Sequence, residues 1–397
     1  VAARRFPGVS GGTFELGEDM GALRFVWQPT HAGAPDSDDY AGATDHLFLR
    51  EDNGSDSRLQ SFAKAKNDWH GIEGSLQHAV DGWIANRPGQ GRVVVLVHGY
   101  DFDPGDHEKA TFDDDPYDGV YDPEPEKEHT SWIPFLGADN AVCFAWNSLP
   151  SFTDAGRACW TNPYEYAVQD VAVMASRALA AIIAAFQSKG VTVDLFAHSL
   201  GTRVSCKAMA WLRDKAQTTN ALRRVILVGG AEYSIDALAD TRGLEVEIYN
   251  FAIRRDGVLK WGGSQLGGKQ RPPNSMLSRV IGRDGMKRQP HWIDFQLDHS
   301  DEDNAEEFSR WFDNLGGYKL SGGRFQDKGL HWAYYLHPDN RALFRDILAN
   351  DALTIDWMRS QAAPDGIDRF RYDGLSGKPP KTPMTGKERH RLYDKDR

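Results

Sequence analysis

The run Ala197-His-Ser-Leu-Gly201 carries the sharpest chemical signal in this chain. A serine hydroxyl becomes a useful nucleophile only when it is exposed, aligned and beside a base. Here Ser199 stands between an apolar strand-like run, Val191-Thr-Val-Asp-Leu-Phe-Ala, and an amphipathic run from Leu200 to about Asp214 that reads as a helix. A tight strand-to-helix turn would place the serine at its apex. It would also bring together the backbone two residues before and two after, so both flanks must be small. They are Ala197 and Gly201. A serine so placed can attack a carbonyl carbon and pass the acyl group to water, and the dipole of the helix behind it favours the developing oxyanion.

Four further groups complete such a site. In His98-Gly99-Tyr100, Gly99 allows a sharp turn at the end of a strand. The Tyr100 N–H can then point where the Leu200 N–H points, giving a two-donor oxyanion hole. His98 reads as structural, holding that loop by a ring hydrogen bond, and His198, next to the serine, as a packing residue on the other side of the backbone. The chain order Ser…Asp…His places the acid after a later strand. Asp256, in Arg254-Arg-Asp-Gly-Val, fits, with Glu232 as the reserve. For the base, His331 in Leu330-His-Trp-Ala-Tyr-Tyr is preferred; His299, in a run that reads as a solvated acidic turn, and His337, before Pro338, stay open.

The elements that must position these residues follow from periodicity. Arg92-Val-Val-Val-Leu-Val is a near-continuous apolar run rich in β-branched residues, the mark of a strand covered on both faces. Strands are also expected within 12–28 and 46–50, at Asn140–Trp146, from Val191, from Arg224, from Val246 and from Trp292. Helices are expected near 70–86, at 164–187, from Leu200 and around 303–314. Strands alternating with helices predict a doubly wound, mostly parallel α/β sheet in one domain over 1–360, with a Pro- and Lys-rich tail over 361–397.

Composition narrows the function classes. Lys and Arg number 46 against 57 Asp and Glu, and residues 101–130 hold twelve of those acids against two lysines. So acidic a chain repels phosphate backbones, and no nucleic-acid partner is expected. The acidic stretch lies in an insertion over 101–137, which could act as a lid; Asp113, Asp114, Asp115 and Asp118 offer hard oxygen ligands, but without EF-hand spacing. A solvated acidic loop is the simpler reading, and no metal or cofactor is expected. No apolar run approaches a bilayer span, so no membrane insertion is expected. No signal-peptide pattern opens the sequence, and Cys143, Cys159 and Cys206 lack disulfide or metal spacing. A cytoplasmic setting is the expectation, with export left open. Oligomeric state is not readable.

Val-His-Gly-Tyr, Trp146-Asn-Ser, Ala-His-Ser-Leu-Gly-Thr-Arg-Val, Arg-Asp-Gly-Val-Leu and His331-Trp-Ala-Tyr-Tyr together resemble the bacterial α/β-hydrolase family of unknown function, over roughly 90–350. The resemblance implies an α/β-hydrolase fold and a base drawn from a His-aromatic stretch before the final helix, in agreement with His331. The acidic insertion and residues 257–290 depart from it. The expectation is a serine hydrolase cleaving a small carboxylic ester through an acyl-enzyme on Ser199, His331 and Asp256. Thioesterase, amidase or acyltransferase chemistry would use the same residues, and a non-catalytic binding protein on this fold is the rival from another class. Haloalkane dehalogenase and epoxide hydrolase chemistry is disfavoured, because those enzymes carry Asp at the elbow.

Overall fold

The computed structural model describes residues 4–5, 13–14, 23–30, 44–51, 58–66, 70–87, 91–102, 120–121, 131–138, 140–149, 163–214, 222–262, 279–286, 289–298, 305–322 and 330–361. The strands are β1 (Arg4–Arg5), β2 (Thr13–Phe14), β3 (Leu23–Thr30), β4 (Thr44–Glu51), β5 (Arg58–Lys66), β6 (Arg92–Val97), β7 (Ala141–Trp146), β8 (Thr192–His198), β9 (Leu222–Val228), β10 (Glu247–Ala252) and β11 (Trp292–Gln296). β1 and β2 pair by themselves. The other nine form one sheet in the order β11-β10-β9-β8-β6-β7-β3-β4-β5. Every neighbouring pair from β11 to β3 is parallel, and β4 and β5 extend the β3 edge in antiparallel fashion.

The central strands are predominantly apolar because both of their faces are covered. In β6, Val93, Val95 and Val97 enter one core with the helices His70–Ala85, Ala172–Gln187 and Gly201–Asp214. Val94 and Leu96 enter a second core with the helices Trp132–Leu136, Ala305–Gly316, Pro338–Ala349 and Ile355–Ser360. Side chains alternate across a strand, so a strand sandwiched between two helical layers is apolar at most positions, and a buried polar side chain there needs a partner, as Asp194 on β8 has in Arg223. The doubly wound, mostly parallel architecture expected from the sequence is the one observed.

Two sequence expectations need amendment. The helical stretch Pro163–Gln187 is long and apolar enough by composition to cross a bilayer, contrary to the reading that no run approaches that length. It is packed against the sheet instead, with 61% of its most apolar window buried. The aromatic residues of the 101–137 insertion that fall within the described residues, Phe102, Tyr121, Trp132 and Phe135, are core residues rather than a lid. Tyr121 is fully buried; its hydroxyl accepts from the His98 amide and lies within reach of the Leu96 and Phe144 carbonyls, bridging β6 and β7. Asp113, Asp114, Asp115 and Asp118, like the tail beyond Gln361, lie outside the described residues.

Candidate active site

Ser199 follows β8 directly, and its backbone φ is +53°, a left-handed conformation that non-glycine residues adopt at a cost of order 1–3 kcal/mol. The surroundings hold it there. The Ser199 amide donates to the Val228 carbonyl, and its own carbonyl accepts from the Ala231 and Thr202 amides and from the Thr202 hydroxyl. The turn is so tight that a Cβ at position 201 would sit 2.3 Å from the His98 carbonyl oxygen, and one at position 99 would sit 2.7 Å from the Ser199 Cβ. Only glycine lets the chain past at both places. The helix begins at Gly201 rather than Leu200, a shift of one residue.

Three residues from three elements meet at this turn. The Ser199 hydroxyl lies 2.7 Å from His331 Nε2, and His331 Nδ1 lies 2.6 Å from Asp256 Oδ2. Asp256 follows β10, and His331 sits on a short 3₁₀ turn, Leu330–Trp332, ahead of the last long helix. Burial would push the Asp256 carboxyl up. The charge and hydrogen bond of His331, the Leu259 amide and the Tyr334 hydroxyl outweigh it and hold the group below the usual carboxylate range. An ionised carboxylate can only accept, so His331 carries its proton on Nδ1 and offers the Nε2 lone pair to the serine. Ser199 is buried at the turn, with 8% of its surface exposed.

The Tyr100 and Leu200 amides flank the same turn. Among the described residues no acceptor takes either hydrogen. The loop bearing Tyr100 is laced to the Trp146-Asn-Ser stretch. The Trp146 amide donates to His98 Nε2 and its indole N–H to the His98 carbonyl; the Ser148 and Leu149 amides donate to the Phe102 carbonyl. Because His98 Nε2 accepts, its Nδ1 donates to the Gly99 carbonyl at 2.9 Å. Burial drives this imidazole down to about 3, so it stays neutral.

The other candidates fall elsewhere. Glu232 is fully buried but accepts from Arg203 and from the Tyr233 amide, not from a histidine. Arg203 in turn donates its Nε–H to the Val168 carbonyl, within a π-helical turn. His299 lies outside the described residues, and His337 is the residue before the helix Pro338–Ala349, with no hydrogen bond from its side chain to the helix start. His198 adds to the sequence reading: the face it packs against is filled by the segment that carries His331, with the two rings 4.7 Å apart and the His198 Nε2 3.0 Å from the His331 carbonyl. Burial holds it, too, near 3. Sequence reasoning also passed over Tyr334, whose hydroxyl reaches Asp256; the only local hint was its position three residues after His331, one helical turn away. Among the described residues no cluster of His, Cys, Asp and Glu is arranged to hold a metal ion.

The whole constellation lies at the carboxyl ends of the parallel strands, where open α/β sheets bind their ligands. Residues 73–231 match a family described as an alpha/beta hydrolase of unknown function. That span includes Tyr100, Ser199 and Leu200 and ends before Asp256 and His331. Comparison with curated proteins gave no match.

Proposed function

We propose that this α/β hydrolase is a serine hydrolase that cleaves carboxylic esters through an acyl-enzyme intermediate. The observation that carries the reading is the unbroken chain of short hydrogen bonds from Ser199 through His331 to Asp256, at a strained turn flanked by the Tyr100 and Leu200 amides, which have no acceptor among the described residues. Ser199 Oγ attacks the ester carbonyl while His331 Nε2 takes its proton. The negative charge that develops on the carbonyl oxygen falls to the Tyr100 and Leu200 N–H groups. His331 then gives its proton to the departing alcohol, and water repeats the sequence in reverse to free the acid. Asp256 fixes the imidazole tautomer and stabilises its charged form.

The experiment is active-site labelling with a fluorophosphonate, paired with turnover of p-nitrophenyl acetate. The wild-type protein should label at Ser199 and release p-nitrophenol. Ser199→Ala should keep the wild-type melting temperature and lose both signals, with kcat falling by about 10⁴-fold or more. Labelling or turnover that survives in Ser199→Ala would discard the assignment, and a wild type silent in both would favour a binding protein on this fold. An ester, thioester and amide panel then fixes the bond cleaved.

A further inference from the structure

We infer that Tyr334 is a positioning residue for the acid of this site, holding Asp256 through its hydroxyl; the inference rests on the catalytic reading above. The Tyr334 hydroxyl lies 3.0 Å from Asp256 Oδ2, the same oxygen that receives His331 Nδ1–H. Asp256 Oδ1 accepts from the Val258 and Leu259 amides, at 2.9 and 3.0 Å. Among the described residues the carboxylate therefore has four donors, two on each oxygen, and the tyrosine is the one side chain besides His331 that supplies a donor. An ionised carboxylate with both oxygens engaged is fixed in plane as well as in charge.

The tyrosine is itself aimed. The Ile253 amide donates to its oxygen at 3.2 Å, and the Gly282 carbonyl lies 3.1 Å away. One phenolic proton faces two acceptors, and the ionised carboxylate is the stronger. The ring is fully buried, packs against Gly229 and stands edge-on to the His331 ring. His331 and Tyr334 therefore come from one short helical segment: His331 is the middle residue of the 3₁₀ turn Leu330–Trp332, and Tyr334 lies in the helix Ala333–Leu336 that follows it. Any movement of that segment shifts these two side-chain partners of Asp256 together.

A space-filling tyrosine and a positioning one differ in what the hydroxyl alone does. Tyr334→Phe keeps the ring and deletes only the donor. Three measurements on the full-length protein separate the two roles: ester kinetics, melting temperature, and the low-field proton NMR resonance of His331 Nδ1–H, identified by its loss in Asp256→Asn. Loss of a hydrogen bond to a charged group predicts kcat about tenfold or more lower with KM unchanged. The carboxylate, freed of the tyrosine, takes a stronger bond from His331, so the resonance moves downfield. Replacing Tyr334 with 3-fluorotyrosine, which keeps the hydroxyl and makes it a better donor, should move the resonance upfield; this second probe serves if the phenylalanine variant does not fold. A resonance that stays in place in either folded variant overturns the inference, even if kcat falls. If the wild type cleaves none of the esters and takes no fluorophosphonate, the ester reading fails by itself, and the resonance still decides the tyrosine's contact with Asp256.

Discussion

A single methyl group is enough to probe the turn that holds Ser199. At position 201 a Cβ would lie 2.3 Å from the His98 carbonyl oxygen and 2.5 Å from that of Val97, both backbone atoms that cannot swing aside. Gly201→Ala should therefore cost at least about 3 kcal/mol in urea unfolding and also reduce fluorophosphonate labelling, because relief means moving the loop that carries Tyr100. Stability within 1 kcal/mol of wild type would show that the turn is looser than drawn. The requirement for small residues around Ser199 was legible in the sequence, because turn sterics are local. The environment of His198 was not. Strand alternation correctly put its side chain on a different face from its neighbours, but what fills that face is the turn Leu330–Trp332, more than 130 residues further along.

Among the elements, the last long helix has the largest consequence for the site, since the segment leading into it carries His331. Its C-terminal carbonyls are held by three arginines from the amino ends of the central strands. Arg92 donates to the Leu348 carbonyl, as does Arg223, which also forms a two-point pair with Asp194. Arg224 reaches the Ile347 carbonyl, the Asn350 and Asp351 carbonyls and Glu247. Cations at a helix C-terminus suit its dipole, and a buried guanidinium with this many acceptors leaves most of them stranded if removed. Arg224→Met should cost about 3 kcal/mol in chemical denaturation, while the folded fraction keeps its labelling at Ser199. A loss below 1 kcal/mol would mean water satisfies those carbonyls. The central strands announced themselves through their apolar runs. The ties from them to the helix did not, since an arginine at a strand's start carries no sign of which helix end it will meet.

At the scale of the molecule, two buried histidines set a pH dependence. His98 and His198 are both held near 3 when folded, chiefly by burial, against an ordinary value of about 6.5. Between those values the unfolded chain binds protons that the folded chain refuses. Stability therefore rises with pH through that window, is level above it, and falls as the solution is acidified below about 6.5. Each histidine should contribute a slope of about 1.4 kcal/mol per pH unit. His198→Gln, which keeps a donor near the His331 carbonyl but cannot be charged, should remove one share of that slope in urea unfolding at pH 7, 6 and 5. An identical slope in the variant would mean that His198 titrates normally. Asp256 acts in the same direction lower down: its depressed value makes its contribution present above about 3.9, and lost as pH falls through the folded value.

The sequence by itself determined the alternation of strands and helices, the parallel sheet, and the tight turn that lifts Ser199. These depend on side-chain period, on residue size and on φ, which each stretch carries locally. It also narrowed the acid and the base to a few candidates by chain order. Only the tertiary structure brings particular ones together: His331 meets Ser199 across 132 residues of chain and Asp256 across 75, Glu232 is taken by Arg203, and Tyr334 arrives beside Asp256. Contacts between residues that far apart are selected by how whole layers pack. A residue's neighbours in sequence do not record which distant segment will fill the space above it.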